Sequence, residues 1–319
     1  MVNREAERRA KVDELHQRLV DEVRQLRTGK AWKAWLDAAT RFHDYSFRNV
    51  VLIAMQCPGA TRVAGFHTWK RLGRHVNRHE KGIQILAPIY RKPRSGELNE
   101  PATEEAASRR LVGYRVTSVF DISQTSGDPL PALPKPGLIR GRAPAGLWDA
   151  LAAEVTRAGF TLNREAISAA GAKGFTTYLD RRVVVAAELD EATAVAVLAH
   201  EVAHMTMHLP DPQAASEIAK CRGIREVEAE SVAYMLLSHH GLRTDEASFA
   251  YVAGWAASLS RTEPEAEVQK VGNYVVNVAR TLIDRTDAHL GHHASRPTRD
   301  KLLTTSTTLD KADIGLDPR

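Results

Sequence analysis

The sequence predicts an α+β protein of two domains. The chain has 319 residues, about twice the length of an ordinary single domain. Its first 56 residues carry apolar positions at helical spacing, and β-branched and aromatic runs follow as far as residue 120. A stretch rich in Pro and Gly then gives way to a segment dominated by helical patterning. The expected layout is an N-terminal α+β domain over 1–125, a linker over 126–144, a mostly helical domain with a small β-sheet over 145–288, and a loosely ordered tail over 289–319.

Each element has its own warrant. From Glu5 to Arg27, charged residues alternate with Val12, Leu15, Leu19, Val23 and Leu26, the stripe of an amphipathic helix. A second helix is expected over Ala31 to Gln56, stopped by Pro58-Gly59. Strands are expected over Thr61 to Phe66, Ile83 to Tyr90 and Leu111 to Phe120, with Lys92 to Arg110 as a long exposed hairpin loop. Pro129, Pro131, Pro134, Pro136 and Pro144 make the linker stiff and extended. Beyond it the patterning gives a helix over Ala145 to Ala158 and a hairpin over Phe175 to Ala186 that turns near Asp180-Arg181. Four more helices are expected over about 191–209, 223–240, 245–259 and 264–285.

Composition excludes several classes. With 43% hydrophobic and 26% charged residues, the chain is neither disordered nor fibrous in character. No apolar run reaches the roughly 18 residues that span a bilayer. The start of the chain (Arg4, Glu5, Glu7, Arg8, Arg9) lacks the apolar core of a secretory signal, so a cytoplasmic protein with no membrane partner is expected. Cys57 and Cys221 are the only cysteines and lie far apart, so any metal must be held by His and carboxylates. The formal charge of +5 is unevenly spread: residues 1–120 hold 23 Lys and Arg against 13 Asp and Glu, and the remainder holds 21 against 26. A basic half of this kind suits a polyanion, because Lys and Arg displace condensed counterions from phosphates.

The sharpest motif is His200-Glu201-Val202-Ala203-His204, within an apolar segment running from Ala192 to His208. On a helix, His200 and His204 share one face about 6 Å apart and can reach one Zn²⁺. Glu201 sits one position round, where it can take a proton from water at the metal. A catalytic zinc needs a third protein ligand and an open position, and downstream the sequence offers Glu226-Val227-Glu228-Ala229-Glu230 at the head of another apolar helix.

Here the chain resembles the glutamate zincins, in which a Glu on a following helix completes the metal site and an acidic residue four positions later supports a ligand histidine. The resemblance implies Glu226 as the ligand and Glu230 as that support. Glu228 points about 160° away from their shared face and reads as a solvated charge. His208 competes for the third position. It lies roughly 12 Å beyond His200 along a straight helix, and Thr206 and Met207 supply no turn to bring it back, so it reads as a support or pocket wall. Tyr234, one turn after Glu230, is either an oxyanion donor or plain core. The implied activity is peptide hydrolysis by a zinc-activated water with Glu201 as general base, the extended substrate lying along an edge strand at Arg182 to Ala187.

The basic half interleaves aromatic residues with cations. Arg48-Asn49, Arg62, Phe66, Trp69-Lys70-Arg71, Arg74 and Lys81 offer flat faces for base stacking and charges along phosphates, although Phe66 and Trp69 serve equally well as core. The words Tyr45-Ser46-Phe47-Arg48-Asn49, Cys57-Pro58-Gly59-Ala60-Thr61, Gly65-Phe66, Thr68-Trp69-Lys70-Arg71-Leu72-Gly73 and Glu80-Lys81-Gly82-Ile83 resemble, in the same order, the N-terminal domain of the ArdC-type antirestriction proteins. The resemblance implies a single-stranded-DNA-binding domain followed by a zincin-like metallopeptidase domain, with single-stranded DNA and a protein or peptide as partners. It covers roughly residues 10–125 and, in motif and arrangement, 170–260, but not Met205 to Lys220 or the segment after Trp255. Two other readings remain at this level: a DNA-binding protector whose metal site is structural or vestigial, and a protease whose basic domain grips an acidic protein. His289, His292 and His293 read as part of a flexible polar tail.

Overall fold

The computed structural model describes residues 2–26, 28–91, 110–130, 142–167, 172–209, 222–242 and 264–291. The chain opens with three helices, α1 (Val2–Gln25), α2 (Gly29–Arg41) and α3 (Phe47–Gln56). Leu15, Leu19, Val23 and Leu26 are all buried, as the stripe requires. Thr28 caps α2 by accepting a hydrogen bond from the Ala31 amide at 3.2 Å. The single helix expected over Ala31 to Gln56 is in fact two, broken at residues 42–46. The break is stabilised from a distance, since Arg280 donates to the His43 carbonyl at 2.5 Å and the Tyr45 carbonyl at 2.9 Å. Carbonyls freed by a turn need partners, and a partner 235 or more positions away leaves no local signal.

Next come β1 (Val63–Ala64), α4 (Phe66–Arg71), β2 (Arg74–Val76), β3 (Ile83–Arg91), β4 (Arg110–Asp121), a short 3₁₀ turn and β5 (Thr125–Gly127). The β3–β4 hairpin matches the expected strands, and the expected loop at 92–109 lies outside the described residues. The strand expected through Phe66 ends at Ala64, because Phe66 begins a helix instead. Asp121 organises this corner, accepting from the amides of Thr61 at 2.8 Å, Arg62 at 3.0 Å and Ser123 at 3.0 Å. These donors hold its carboxyl below its ordinary pKa despite burial that works the other way. Residues 126–128, at the expected onset of the linker, are held in the fold, since β5 pairs with β2 and Arg74 holds the Asp128 carbonyl. Gly127, at φ +138°, lies so close to the Gly73 carbonyl that a Cβ there would collide with it.

The second half comprises α5 (Leu147–Arg157), β6 (Thr161–Glu165), β7 (Gly174–Thr177), β8 (Arg182–Ala186), α6 (Glu191–Met207), α7 (Arg222–His239) and α8 (Pro264–His289). The sheet order is β6-β8-β7, with β6 parallel and β7 antiparallel to β8. Arg182 to Ala187 is therefore not an edge strand. Val183, Val184 and Val185 are fully buried, as a central strand covered on both faces should be, and the edge beside α6 is β7. The helix expected over 245–259, most of the linker, and His292 and His293 lie outside the described residues.

The two halves do not bury separate cores. One continuous apolar cluster runs from α1–α3 through α7 and α8 to α6. Trp32 and Trp35 pack at 4.7 Å between ring centroids and Trp35 and Phe47 at 5.0 Å, while the Trp32 indole donates to Ser231 on α7 at 2.8 Å. Phe47 closes against the backbone of α8 at Gly272, where any side chain would overlap its ring. Among the described residues no helix is long and apolar enough to cross a membrane.

Candidate metal centre

Asp190 caps α6, accepting from the Thr193 amide at 3.1 Å. Ala194, Val195, Leu198, Ala199, Val202 and Ala203 bury the helix on most of its circumference. His200 and His204 occupy the remaining stripe, one turn apart and half-buried. Their Nε2 atoms lie 2.9 Å from each other, and each is 3.6 Å from Glu226 Oε2 on α7. Donors at about 2.0 to 2.2 Å from a tetrahedral ion stand roughly 3.3 to 3.6 Å apart. The carboxylate oxygen stands at that spacing from each imidazole, and with the two Nε2 atoms, now closer than this, moved slightly apart the trio fits a divalent transition ion with one position open.

The surrounding groups orient those donors. Glu230 Oε2 lies 3.2 Å from His200 Nδ1, which makes Nδ1 the donor and leaves the Nε2 lone pair facing the metal position. His204 is held through a relay: its Nδ1 lies 3.0 Å from His208 Nδ1, and His208 Nε2 lies 3.0 Å from Glu228 Oε2. A proton donated along each contact leaves His204 Nε2 free to ligate. Glu228 is therefore not a solvated charge but is 9% exposed and paired. The helical wheel located its direction correctly, away from Glu226, and that direction is filled by the end of α6 instead of by water.

Charge binds the cluster even without a cation. Burial lowers the His200 pKa, but hydrogen bonds to Glu226 and Glu230 outweigh it and push it up to about 10. Hydrogen bonds from His200 and His204 hold Glu226 well below the usual carboxylate range. Without an ion, a proton on His200 Nε2 supplies the positive charge between the carboxylates, and a bound cation would displace it to reach the lone pair.

Glu201 is 7% exposed, and its Oε2 accepts from Thr176 Oγ1 on β7 at 2.7 Å. β7 therefore fixes the carboxylate beside the metal position. Tyr178 donates to the His204 carbonyl at 3.1 Å, its own pKa pushed up to about 12 by burial and by the nearby carboxylates. Sequence reasoning passed over Thr176 and Tyr178, whose only signal is membership of the hairpin before α6. Tyr234 does not face the site. Its hydroxyl donates to Asp37 at 2.5 Å and accepts from Lys33 at 2.7 Å, joining α7 to α2.

These contacts order the acidic residues. Glu226→Ala is expected to lower metal affinity more than either Glu230→Ala or Glu228→Ala, each of which should cost about 10- to 100-fold by freeing a ligand imidazole. Chelator competition measures all three, and parental affinity in Glu228→Ala would mean that the His208 relay holds nothing.

The basic half divides its candidate residues. Trp69 is 1% exposed and donates to the Phe120 carbonyl at 2.9 Å, so it is core and cannot stack on a base. Asn49 is buried and braces β3, accepting from the Leu86 amide at 2.9 Å and donating to the Leu86 carbonyl at 3.0 Å. The Arg74 guanidinium is occupied by the carbonyls of Thr125, Gly127 and Asp128. Arg62 is half-buried beside the Asp121 corner. Arg48 lies over the Tyr114 ring at 5.8 Å. Phe66, Lys70, Arg71 and Lys81 face solvent, as do two aromatic residues of the β3–β4 hairpin that the sequence pattern did not single out, Tyr90 and Tyr114.

An uncharacterized protein of Bacillus anthracis is 27% identical over 257 residues, 67% of this chain, and the chain spans 41% of that relative's length. The metal-free crystal structure of the antirestriction ArdC protein from plasmid R388 has a TM-score of 0.49 and 21% identity, covering 76% of this chain and 85% of that one. Its Mn(II)-bound form has a TM-score of 0.46 and 20% identity, covering 75% and 84%. Residues 10–120 match the family model for the N-terminal domain of anti-restriction factor ArdC. Residues 10–120 are thus an ArdC-type N-terminal domain.

Proposed function

We propose that the protein is a divalent-metal-dependent peptidase, with zinc as its working metal, joined to a domain that binds single-stranded DNA. The observation that carries the enzymatic reading is the convergence of His200 Nε2, His204 Nε2 and Glu226 Oε2 beside the buried carboxylate of Glu201. When bound, the ion supplies Lewis acidity toward a carbonyl and acidifies water. Glu201 accepts the proton from the attacking water and passes it to the leaving amine. Thr176 keeps its carboxylate aimed while the proton is away. The exposed edge of β7 offers backbone pairing to an extended peptide. A purely structural ion has no use for a general base, which favours hydrolysis over a vestigial site.

The DNA-binding reading rests on the matched domain, its basic balance, and exposed Phe66, Lys70, Arg71, Tyr90 and Tyr114. The zinc-loaded full chain should hydrolyse an unfolded protein such as casein, and chelation should abolish this. It should also retain a single-stranded oligonucleotide in preference to its duplex, with affinity falling steeply as salt rises. Absence of hydrolysis in a zinc-loaded chain that still binds DNA would leave a protector without peptidase activity.

A further inference from the structure

At the other end of α7, a separate set of donors converges. His239 closes the last turn of α7, His240 follows it, and Asp287 lies in the last turn of α8. One ligand atom from each lies within 4.8 Å of the other two. Asp287 turns both carboxylate oxygens toward His239 Nε2, at 3.0 and 3.2 Å, and is 7% exposed. His240 Nε2 lies 2.8 Å from Thr286 Oγ1 on α8. A third imidazole, His43, packs edge-on against His239 at 5.4 Å between centroids. Its Nδ1 faces the Thr40 carbonyl at 3.0 Å, so the Nε2 atom carries the lone pair.

A plain ion pair between helix ends accounts for His239 and Asp287. It does not account for two more imidazoles gathered against them in a half-buried corner. We propose that His239, His240 and Asp287 form a second metal site, for a divalent transition ion of the zinc class, with His43 beside it. Two imidazoles and a carboxylate are donor types such ions select, and hard cations such as Mg²⁺ or Ca²⁺ favour all-oxygen sites instead. Donors on one ion lie within about 4.2 Å of each other, so side-chain rotation closes the set. The C-terminal ends of α7 and α8 both present carbonyl dipoles here, which favours a cation.

The site has a structural character. The segments it joins are the α2–α3 turn of the basic half and the last turns of α7 and α8. Arg280 already ties that turn to α8 through the His43 and Tyr45 carbonyls. An ion would pin the far end of the helix whose near end carries Glu226, Glu228 and Glu230.

The test titrates the metal-free full chain with Co(II), whose visible absorption reports nitrogen and oxygen coordination. The parent should take up two equivalents. His200→Ala/His204→Ala should take up one, with a rise in unfolding temperature on binding. His239→Ala/Asp287→Asn should also take up one, at the first centre. Asp287→Asn alone keeps the shape and a hydrogen bond to His239, so it reports the site even where the double variant fails to fold, and it should weaken the second equivalent at least 10-fold. Uptake of a single equivalent by the parent and none by His200→Ala/His204→Ala overturns the proposal, as does full second-site affinity in Asp287→Asn. A single equivalent retained by both the parent and His200→Ala/His204→Ala would uphold the second site and sink the first.

Discussion

Glu201→Gln should lose hydrolysis by about 10²- to 10⁴-fold while keeping its metal, the span attributed to a positioned general base. The substitution is nearly isosteric, and the Thr176 hydroxyl that now donates to Glu201 Oε2 at 2.7 Å can still donate to the amide oxygen. The ligand atoms on His200, His204 and Glu226 are untouched, so metal content and unfolding temperature should match the parent. What is lost is the acceptor for the proton of the attacking water. The comparison needs metal analysis and turnover on the same preparation. If the variant retains parental turnover with a full complement of metal, Glu201 is not the base and the proposed chemistry fails. Loss of turnover together with metal would instead indicate that Glu201 shapes the ligands.

The candidate metal donors were legible in the sequence because His200 and His204 obey helical spacing and the likeness to the glutamate zincins singles out Glu226. His200 and His204 are four apart, and Glu226 and Glu230 are four apart on the next helix, so one face of each suffices. Local spacing cannot show what fills the opposite face. Glu228 was read as solvated because its direction was known and its neighbour was not; His208, twenty positions earlier, provides the buried partner. Thr176 and Tyr178 were missed for the same reason, since a strand that brings a hydroxyl 2.7 Å from Glu201 has no spacing relation to it.

The limits of the fold reading have similar causes. Periodicity gave the helices and the β3–β4 hairpin, which are short-range. It could not see that Arg280 stabilises a break between α2 and α3, nor that Val183 to Val185 form a central strand flanked by β6 and β7. Chain length and the Pro-rich stretch suggested two domains. Trp32, bonded to Ser231, and Phe47, packed on Gly272, show instead that the basic half covers α7 and α8. Tests of DNA binding therefore belong on the full chain, because a fragment ending near residue 125 would expose this apolar face.

Trp69→Ala should destabilise the full chain by about 3 to 5 kcal/mol, the range for removing a buried aromatic side chain. The indole is 1% exposed, and its N–H is the donor to the Phe120 carbonyl at 2.9 Å, so truncation leaves both a cavity and an acceptor without that donor. β4 carries Phe120 and pairs with β1 through Ala64, so the loss should spread across this corner of the basic half. Denaturant unfolding should show a lower midpoint, while single-strand affinity measured well below the transition should stay near the parent's. Phe66→Ala makes the contrast. Phe66 is 51% exposed, so its loss should leave stability nearly unchanged and, if the ring stacks on a base, weaken single-strand binding by about 1 to 3 kcal/mol. A Trp69→Ala chain with parental stability and impaired DNA binding would reverse these assignments and return Trp69 to the nucleic-acid surface.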